Sequence, residues 1–151
     1  KYDGEYEVKA DFTQFELEQA LKNGEFVFHK VGQEVRVLED INTLTTLTDT
    51  KGEEFTNNDT IRLVDALAEE TANTFNNKYN GKIPNNPDGR VSFWNDHFDK
   101  LKYYAQKQVI EKPVAEDVVV AEGADKKSVY LESSITKIHK MSKLYATIKV
   151  Q

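Results

Sequence analysis

The residues best suited to hold a metal ion are the three histidines, His29, His97 and His139. They are far apart in the sequence, and none stands in a His-Glu-x-x-His or comparable ligand spacing. On a helix, His97 and its neighbour Asp96 point about 100° apart and do not face each other, so a surface or partly buried imidazole is the ordinary explanation. Cysteine is absent, which removes thiolate ligands, disulfides and a cysteine nucleophile. The sequence therefore predicts no metal site.

Neighbouring carboxylates could perform general acid–base catalysis if one of them were desolvated and its pKa raised. The acidic pairs of this chain lie at predicted turns or on polar helix faces, where solvated charge is the ordinary explanation. They are Glu53 with Glu54, Glu69 with Glu70, Asp96 with Asp99, and Glu116 with Asp117. No serine stands in a Gly-x-Ser-x-Gly elbow, and no glycine-rich loop ends in Gly-Lys-Ser/Thr. We predict that the protein is not an enzyme and binds no cofactor.

Length and composition set the class of protein. The chain has 151 residues, of which 38% are hydrophobic and 11% aromatic, and this predicts one domain over residues 1–151 with a substantial core. No run approaches the roughly 18 consecutive apolar residues of a membrane-spanning helix. The formal net charge of −6 argues against a general nucleic-acid-binding protein. The chain opens on Lys1 without an initiator methionine, so we expect it to be a piece of a longer protein.

Positive charge is concentrated at the C-terminal end. Residues 134–151 contain no acid and four lysines, a local charge of +4. A solvated face is the ordinary explanation of such a cluster, and contact with an acidic partner surface is the functional one. The candidate contact residues are Lys137, His139, Lys140 and Lys143.

Local patterns predict the elements of the N-terminal half. Alternation of polar and apolar residues predicts a strand over residues 4–10. Thr13 and Glu16 form a capping-box pattern, which predicts a short helix that Asn23-Gly24 ends. Residues 26–29 and 34–38 read as two strands of a hairpin with Gly32 in its turn.

Two long helices and a second hairpin follow. The first helix is predicted by an apolar stripe at steps of three and four, which consists of Ile61, Val64, Leu67 or Ala68, Thr71, Phe75 and Tyr79. Prolines and turn residues predict a loop over residues 82–89, and the second helix should run from about Asp88 or Ser92 to Gln108. Residues 117–121 and 128–131 alternate as a hairpin. The predicted class is α+β, with a small mixed sheet, two long helices and a short N-terminal helix.

The last segment is predicted to be a strand, and it consists of Leu144, Tyr145, Ala146, Thr147, Ile148, Lys149 and Val150. Only Gln151 follows it in this sequence, so no later element forces it to pair within its own chain. An exposed strand is a template for pairing with another chain, which most proteins suppress unless association is wanted. An internal closing strand and a strand shared between chains both remain open at this point.

Several motifs occur in order along the chain. They are residues 4–11 (GEYEVKAD), 23–29 (NGEFVFH), 35–44 (VRVLEDINTL), 84–86 (PNN), 88–92 (DGRVS), 117–120 (DVVV), 128–129 (SV) and 141–145 (MSKLY). Together they resemble the C-terminal domain of tail sheath proteins from contractile phage tails, most closely the sheaths of phages and prophages of Gram-positive bacteria. One departure lies after the second helix, where residues 107–110 (KQVI) replace a glycine-containing turn.

The resemblance implies a structural protein of the virion tail, assembled in the bacterial host cytoplasm. Sheath subunits stack as six-membered rings around an inner tube and contract to drive the tube through a cell envelope. The implied partners are other sheath subunits and the inner tail tube protein, with no cofactor, nucleic acid or membrane. Residues 144–150 would then be the strand for β-augmentation between subunits, and Lys137, His139, Lys140 and Lys143 would be a candidate contact with the tube.

Two other function classes compete with this interpretation. The first is a small carboxylate-dependent hydrolase that uses acids near the loop at residues 84–89. It predicts a pocket with a carboxylate whose pKa is raised. The second is a stand-alone binding module that recognises an acidic ligand through the basic C-terminal segment. It predicts a monomer with salt-sensitive binding.

Overall fold

The computed structural model describes residues 1–49, 51–141 and 144–150. Within them the chain divides into two compact units, Lys1–Glu69 and Glu70–Gln151. The α+β class is confirmed, because the described residues form three α-helices and two antiparallel strand pairs. The predicted small sheet is thus divided into two separate hairpins, one in each unit. That residues 1–151 form a single domain stays a prediction.

The first unit begins with helix α1 (Gln14–Lys22), whose capping box is confirmed. The backbone N–H of Glu16 donates to Thr13 Oγ1 at 3.3 Å, and Glu16 Oε2 accepts from the backbone N–H of Thr13 at 2.8 Å. This exchange satisfies two amides that the first turn leaves without helical partners. Asn23 ends α1, and Gly24 follows in the left-handed region with φ of 70°.

The first hairpin joins strands β1 (Phe28–Val31) and β2 (Glu34–Val37), with Phe28 opposite Val37. Its loop is only two residues long, because β1 extends to Val31. Gly32 takes the first loop position with φ of 62°, as a type II′ turn requires. The strand predicted over residues 4–10 is wrong, since the structure has no strand there and alternation alone supplies no neighbouring edge to pair with.

Helix α2 (Asn58–Thr74) continues into a single π-helical turn (Phe75–Tyr79), and Asn80-Gly81 ends it. The long helix is therefore confirmed, but its buried row within the first unit is Thr60, Leu63 and Leu67. Val64 of the predicted stripe is 38% exposed. The helix carries apolar side chains in more than one row, and periodicity cannot tell which row its neighbours will cover.

Helix α3 (Pro87–Gln106) starts one residue before Asp88, the earlier of the two predicted starts. Asn86 Oδ1 accepts from the backbone N–H of Gly89 at 2.8 Å, and Pro87 takes the first helical position. A proline is compatible with that position because the N–H it lacks would have no helical partner there. The predicted loop thus ends at Asn86 rather than at Gly89.

The second hairpin joins β3 (Val118–Glu122) and β4 (Val129–Ser133), with Val118 opposite Ser133. This prediction is confirmed. Helix α3 packs on β3, and the indole N–H of Trp94 donates to the backbone oxygen of Val118 at 2.8 Å. The core of this unit includes Leu101, which has no exposed surface, and Ile110. Among the helices the structure describes, none is long and apolar enough to cross a bilayer.

Candidate inter-subunit surfaces

The basic segment begins on a short stretch of paired backbone. The N–H of Glu111 donates to the oxygen of Thr136 at 2.8 Å, and the N–H of Ile138 donates to the oxygen of Val109 at 2.9 Å. These two bonds form an antiparallel bridge between Ile110 and Lys137. The chain after β4 is therefore fixed to the segment that follows α3 as far as Ile138.

The four candidate tube-contact residues lie in different settings. Lys137 is half-buried within the bridge, whereas His139 and Lys140 lie on exposed chain after it. Lys143 lies outside the described residues. That these residues contact the inner tube stays a prediction.

Residues 144–150 form no strand with the described parts of this chain, and all seven are exposed. Leu144 is 88% exposed, Ile148 90% and Val150 95%, and Tyr145 beside them is 91% exposed. In an extended chain Leu144, Ala146, Ile148 and Val150 share one side, because side chains alternate. The predicted strand thus presents a continuous apolar row that the described residues of this chain leave uncovered.

The β3–β4 hairpin carries an edge that could accept a further strand. The N–H of Gly123 donates to the oxygen of Ser128, and the N–H of Ser134 donates to the oxygen of Asp117. Alternation of antiparallel bonding then directs the backbone N–H and C=O groups of Val129, Leu131 and Ser133 away from β3. No strand in the described residues pairs with this outer side of β4. The sequence predicted the hairpin, but its alternation could not tell which edge would stay open.

The turn of this hairpin is held by the loop before α3. Asn85 Nδ2 donates to the backbone oxygen of Lys126 at 3.1 Å and to that of Ser128 at 2.9 Å. Arg90 Nη1 in turn donates to Asn85 Oδ1 at 3.0 Å. The open edge of β4 therefore begins at a turn that three side-chain hydrogen bonds position.

A small cavity of about 80 Å³ lies beside the same loop. Its described lining is aromatic and aliphatic with amide and cationic groups at the mouth, and it consists of Phe75, Tyr79, Asn80, Gly81, Ile83, Pro84, Asn85, Gly89, Arg90, Phe93, Lys127 and Val129. No Asp or Glu is among these residues, so the cavity lacks the carboxylate that the hydrolase alternative needs. The described residues also contain no group of three or more metal-ligand side chains.

Comparisons with known proteins agree on one family. Residues 50–151 match the family model described as the phage tail sheath C-terminal domain, and residues 1–43 match the phage tail sheath protein central domain. The resemblance found in the sequence is thus confirmed, with the first hairpin and α1 falling in the central-domain match.

The individual relatives are also named as tail sheath or sheath tail proteins. The tail sheath protein of Clostridium phage phiCD119 is 27% identical over 118 residues, which are 78% of this chain and 32% of the relative. The crystal structure of a sheath tail protein from Desulfitobacterium hafniense is 28% identical, with a TM-score of 0.75 over 83% of this chain and 29% of that one. A sheath tail protein from Listeria innocua, 24% identical, shares the fold with a TM-score of 0.73 over 85% of this chain and 31% of its own. The chain spans about a third of the length of the relatives it matches.

Proposed function

Given that this chain belongs to the phage tail sheath protein family, we propose that it is a structural part of a contractile tail sheath and does no catalysis. Subunits would stack as rings of six around an inner tube and shorten to drive the tube through a cell envelope. The protein would then act in the virion tail after assembly in the cytoplasm of the bacterial host. Its partners would be other sheath subunits and the tube protein.

The observation that carries this proposal is that the described residues include both an exposed apolar segment and an open strand edge. Residues 144–150 are exposed along their whole length, and no strand among the described residues pairs with the outward backbone groups of Val129, Leu131 and Ser133 on β4. We propose that residues 144–150 of one subunit add to this edge in a neighbouring subunit. Main-chain hydrogen bonds would supply affinity, and the row of Leu144, Ile148 and Val150 would supply buried apolar area.

Such a link suits a machine with two subunit packings. Contraction requires connections that survive a rigid-body rotation of each subunit. A strand pairing fixes only a few residues, and the exposed chain at His139 and Lys140 can bend while the pairing persists. We therefore propose that this segment is the hinge between the Ile110–Lys137 bridge and the donated strand.

We propose that Lys137, His139, Lys140 and Lys143 contact the inner tube. The support is their local positive charge in a chain of net charge −6, which favours an acidic partner surface. If Lys137, Lys140 and Lys143 are all changed to Glu, the full-length protein should form sheath less readily on tubes. Normal assembly of this variant on tubes would contradict the tube contact while leaving the strand exchange untouched.

The decisive experiment compares two single changes in the full-length parent protein. Ile148→Lys places a charge in the apolar row, whereas Thr147→Lys places the same charge on the opposite side of the strand. Electron microscopy should find rings and sheath-like tubes for Thr147→Lys and few or none for Ile148→Lys. Equal assembly of the two variants would contradict strand donation, and absence of rings from the unchanged protein would contradict the sheath function itself.

Crosslinking tests the acceptor edge. The chain has no cysteine, so introduced thiols have no competitor within it. Opposed residues of neighbouring antiparallel strands have Cα atoms about 4.5–5.5 Å apart, which lies within the range that a disulfide bridges. Leu131→Cys combined with cysteine at Ala146 or Ile148 should give inter-subunit bonds. Cysteine at Val64, exposed on α2, should give none with the same partners.

A further inference from the structure

His97 stands in the buried face of α3. The helix buries Phe93, His97 and Leu101, one residue per turn, and His97 is 3% exposed. Its Nδ1 atom lies 3.2 Å from the hydroxyl of Thr71 near the end of α2. Its Nε2 atom is buried without a hydrogen-bond partner among the described residues. An imidazole in a core row, with one nitrogen unpaired, is held there in its neutral form.

The charged groups described near His97 would not stabilise its protonated, positively charged form. On α3, Lys100 lies one turn along and its side chain is 15% exposed. Glu70 on α2 is engaged elsewhere, because Tyr104 donates to it at 2.9 Å and Lys100 Nζ lies 4.0 Å from it. Asp96 accepts from Lys78 and Tyr79. Within the Glu70–Gln151 unit, a charged His97 would therefore meet a neighbouring cation and no carboxylate of its own.

Burial lowers the pKa of His97 below its ordinary value, and the charge of Lys100 lowers it further. In the unfolded chain the imidazole would titrate near its ordinary pKa of about 6.5. The unfolded state therefore binds this proton at a higher pH than the folded state does. The stabilising contribution is complete above the ordinary pKa and is lost as the pH falls below it.

We propose that His97 is an acid-sensitive latch, which holds α3 against the last turns of α2 while it is neutral and loosens that pairing when it is protonated. The contact to Thr71 and the row with Phe93 and Leu101 place the imidazole between the two helices. The device lies in the same unit as the β3–β4 hairpin. Mildly acidic solution should thus weaken the unit that carries the proposed acceptor edge.

The test is the pH dependence of unfolding of the chain. Urea unfolding would be followed by circular dichroism between pH 5 and pH 8 for the unchanged protein, His97→Gln and His29→Gln. His29 is half-buried on β1 and serves as the matched control. Below about pH 6.5 the unfolding constant of the unchanged protein should rise relative to that of His97→Gln, by up to about tenfold per pH unit. His29→Gln should keep the steeper dependence.

Parallel pH profiles for the unchanged protein and His97→Gln would overturn the latch. If His97→Gln does not fold, proton NMR titration of the unchanged protein decides the matter. The imidazole of His97 should titrate below the ordinary histidine pKa of about 6.5, and amide exchange in residues 70–74 and 93–101 should accelerate as it does so. Titration of His97 at the ordinary histidine pKa of about 6.5, without faster exchange, would overturn the proposal.

Discussion

The hydroxyl of Tyr79 donates a hydrogen bond to Asp96 Oδ2 at 2.5 Å, which ties the π-helical turn after α2 to the middle of α3. The same oxygen accepts from Lys78 Nζ at 2.6 Å. The ring of Tyr79 lies 5.0 Å from that of Phe93, measured between centroids, and only 5% of Tyr79 is exposed. One carboxylate oxygen therefore accepts hydrogen bonds from two consecutive residues of the π-helical turn, and the Tyr79 ring packs on Phe93 beside it.

Removal of that hydroxyl should destabilise the protein measurably. Tyr79→Phe keeps the aromatic packing but removes a hydrogen bond to a charged acceptor, for which we expect a loss of about 1.5–3 kcal/mol in the free energy of unfolding. Urea unfolding followed by circular dichroism measures it. Tyr103→Phe is the control, because Tyr103 is 54% exposed and should change stability little. Equal effects of the two changes would contradict the role given to the Tyr79 hydroxyl.

Asp96 should make stability depend on pH at the acidic end. Burial alone would raise the pKa of Asp96, but the hydrogen bonds from Lys78 and Tyr79 outweigh it and hold the pKa below its ordinary value. Its contribution is therefore present above the unfolded pKa and is lost as the pH falls through the folded one. The difference in unfolding free energy between the unchanged protein and Asp96→Asn should be largest near pH 7 and shrink towards pH 3. A difference that stays constant over this range would count against the assignment.

The turn after α3 contains a residue in an unfavourable conformation. Gln108 has φ of 56°, in the left-handed region that glycine adopts readily, and it stands where a glycine-containing turn was expected. Gln108→Gly should stabilise the chain by about 1 kcal/mol. Gln106→Gly, at the exposed last residue of α3, should instead destabilise it, by less than the roughly 1 kcal/mol that glycine costs in a helix interior. Shifts of the same sign in the two variants would contradict this account.

Features set by neighbours in sequence were predictable, and features set by tertiary context were not. The capping box of Thr13 and both hairpins depend on residues a few positions apart, and they were recovered. The start of α3 was left between Asp88 and Ser92 because the prolines of the preceding loop were taken as helix breakers, whereas the cap at Asn86 makes Pro87 the first helical residue. The deep burial of His97 could not be read from the sequence, because a histidine on a helix face does not reveal what packs against it.

The proposed inter-subunit surfaces also combine a feature that local sequence predicts with one that depends on tertiary context. Alternation in residues 144–150 predicted an apolar row, and the structure leaves that row exposed. Whether a strand forms there depends on an edge outside the segment, which no local pattern contains. The open side of β4 became visible only when the hydrogen bonds at Asp117 and Gly123 fixed which backbone groups face β3.

Gly89 lies in the first turn of α3, where a larger residue would strike the backbone. A Cβ atom at this position would lie 2.2 Å from the backbone oxygen of Pro84 and 3.2 Å from Asn86 Oδ1, the atom that caps the helix. In a helical position with free space, alanine stabilises the folded protein by about 1 kcal/mol relative to glycine. At Gly89 the clash with Pro84 opposes this stabilisation. We expect Gly89→Ala to destabilise by about 1–3 kcal/mol through displacement of the loop. That displacement should also weaken the bonds from Asn85 to the hairpin turn.

The control for this change is Gly52→Ala. Apart from its chain neighbours, no described residue has an atom within 4 Å of the Cβ position at Gly52, and its φ of −74° suits any residue, so we expect little loss of stability or a small gain. Thermal unfolding of both variants measures the two effects. Amide exchange at residues 126–129 should accelerate in Gly89→Ala alone, because its loop holds that turn. If Gly89→Ala is as stable as Gly52→Ala, the close approach of Pro84 does not constrain the start of α3. If amide exchange at residues 126–129 is also unchanged in Gly89→Ala, the loop before α3 does not position the hairpin turn.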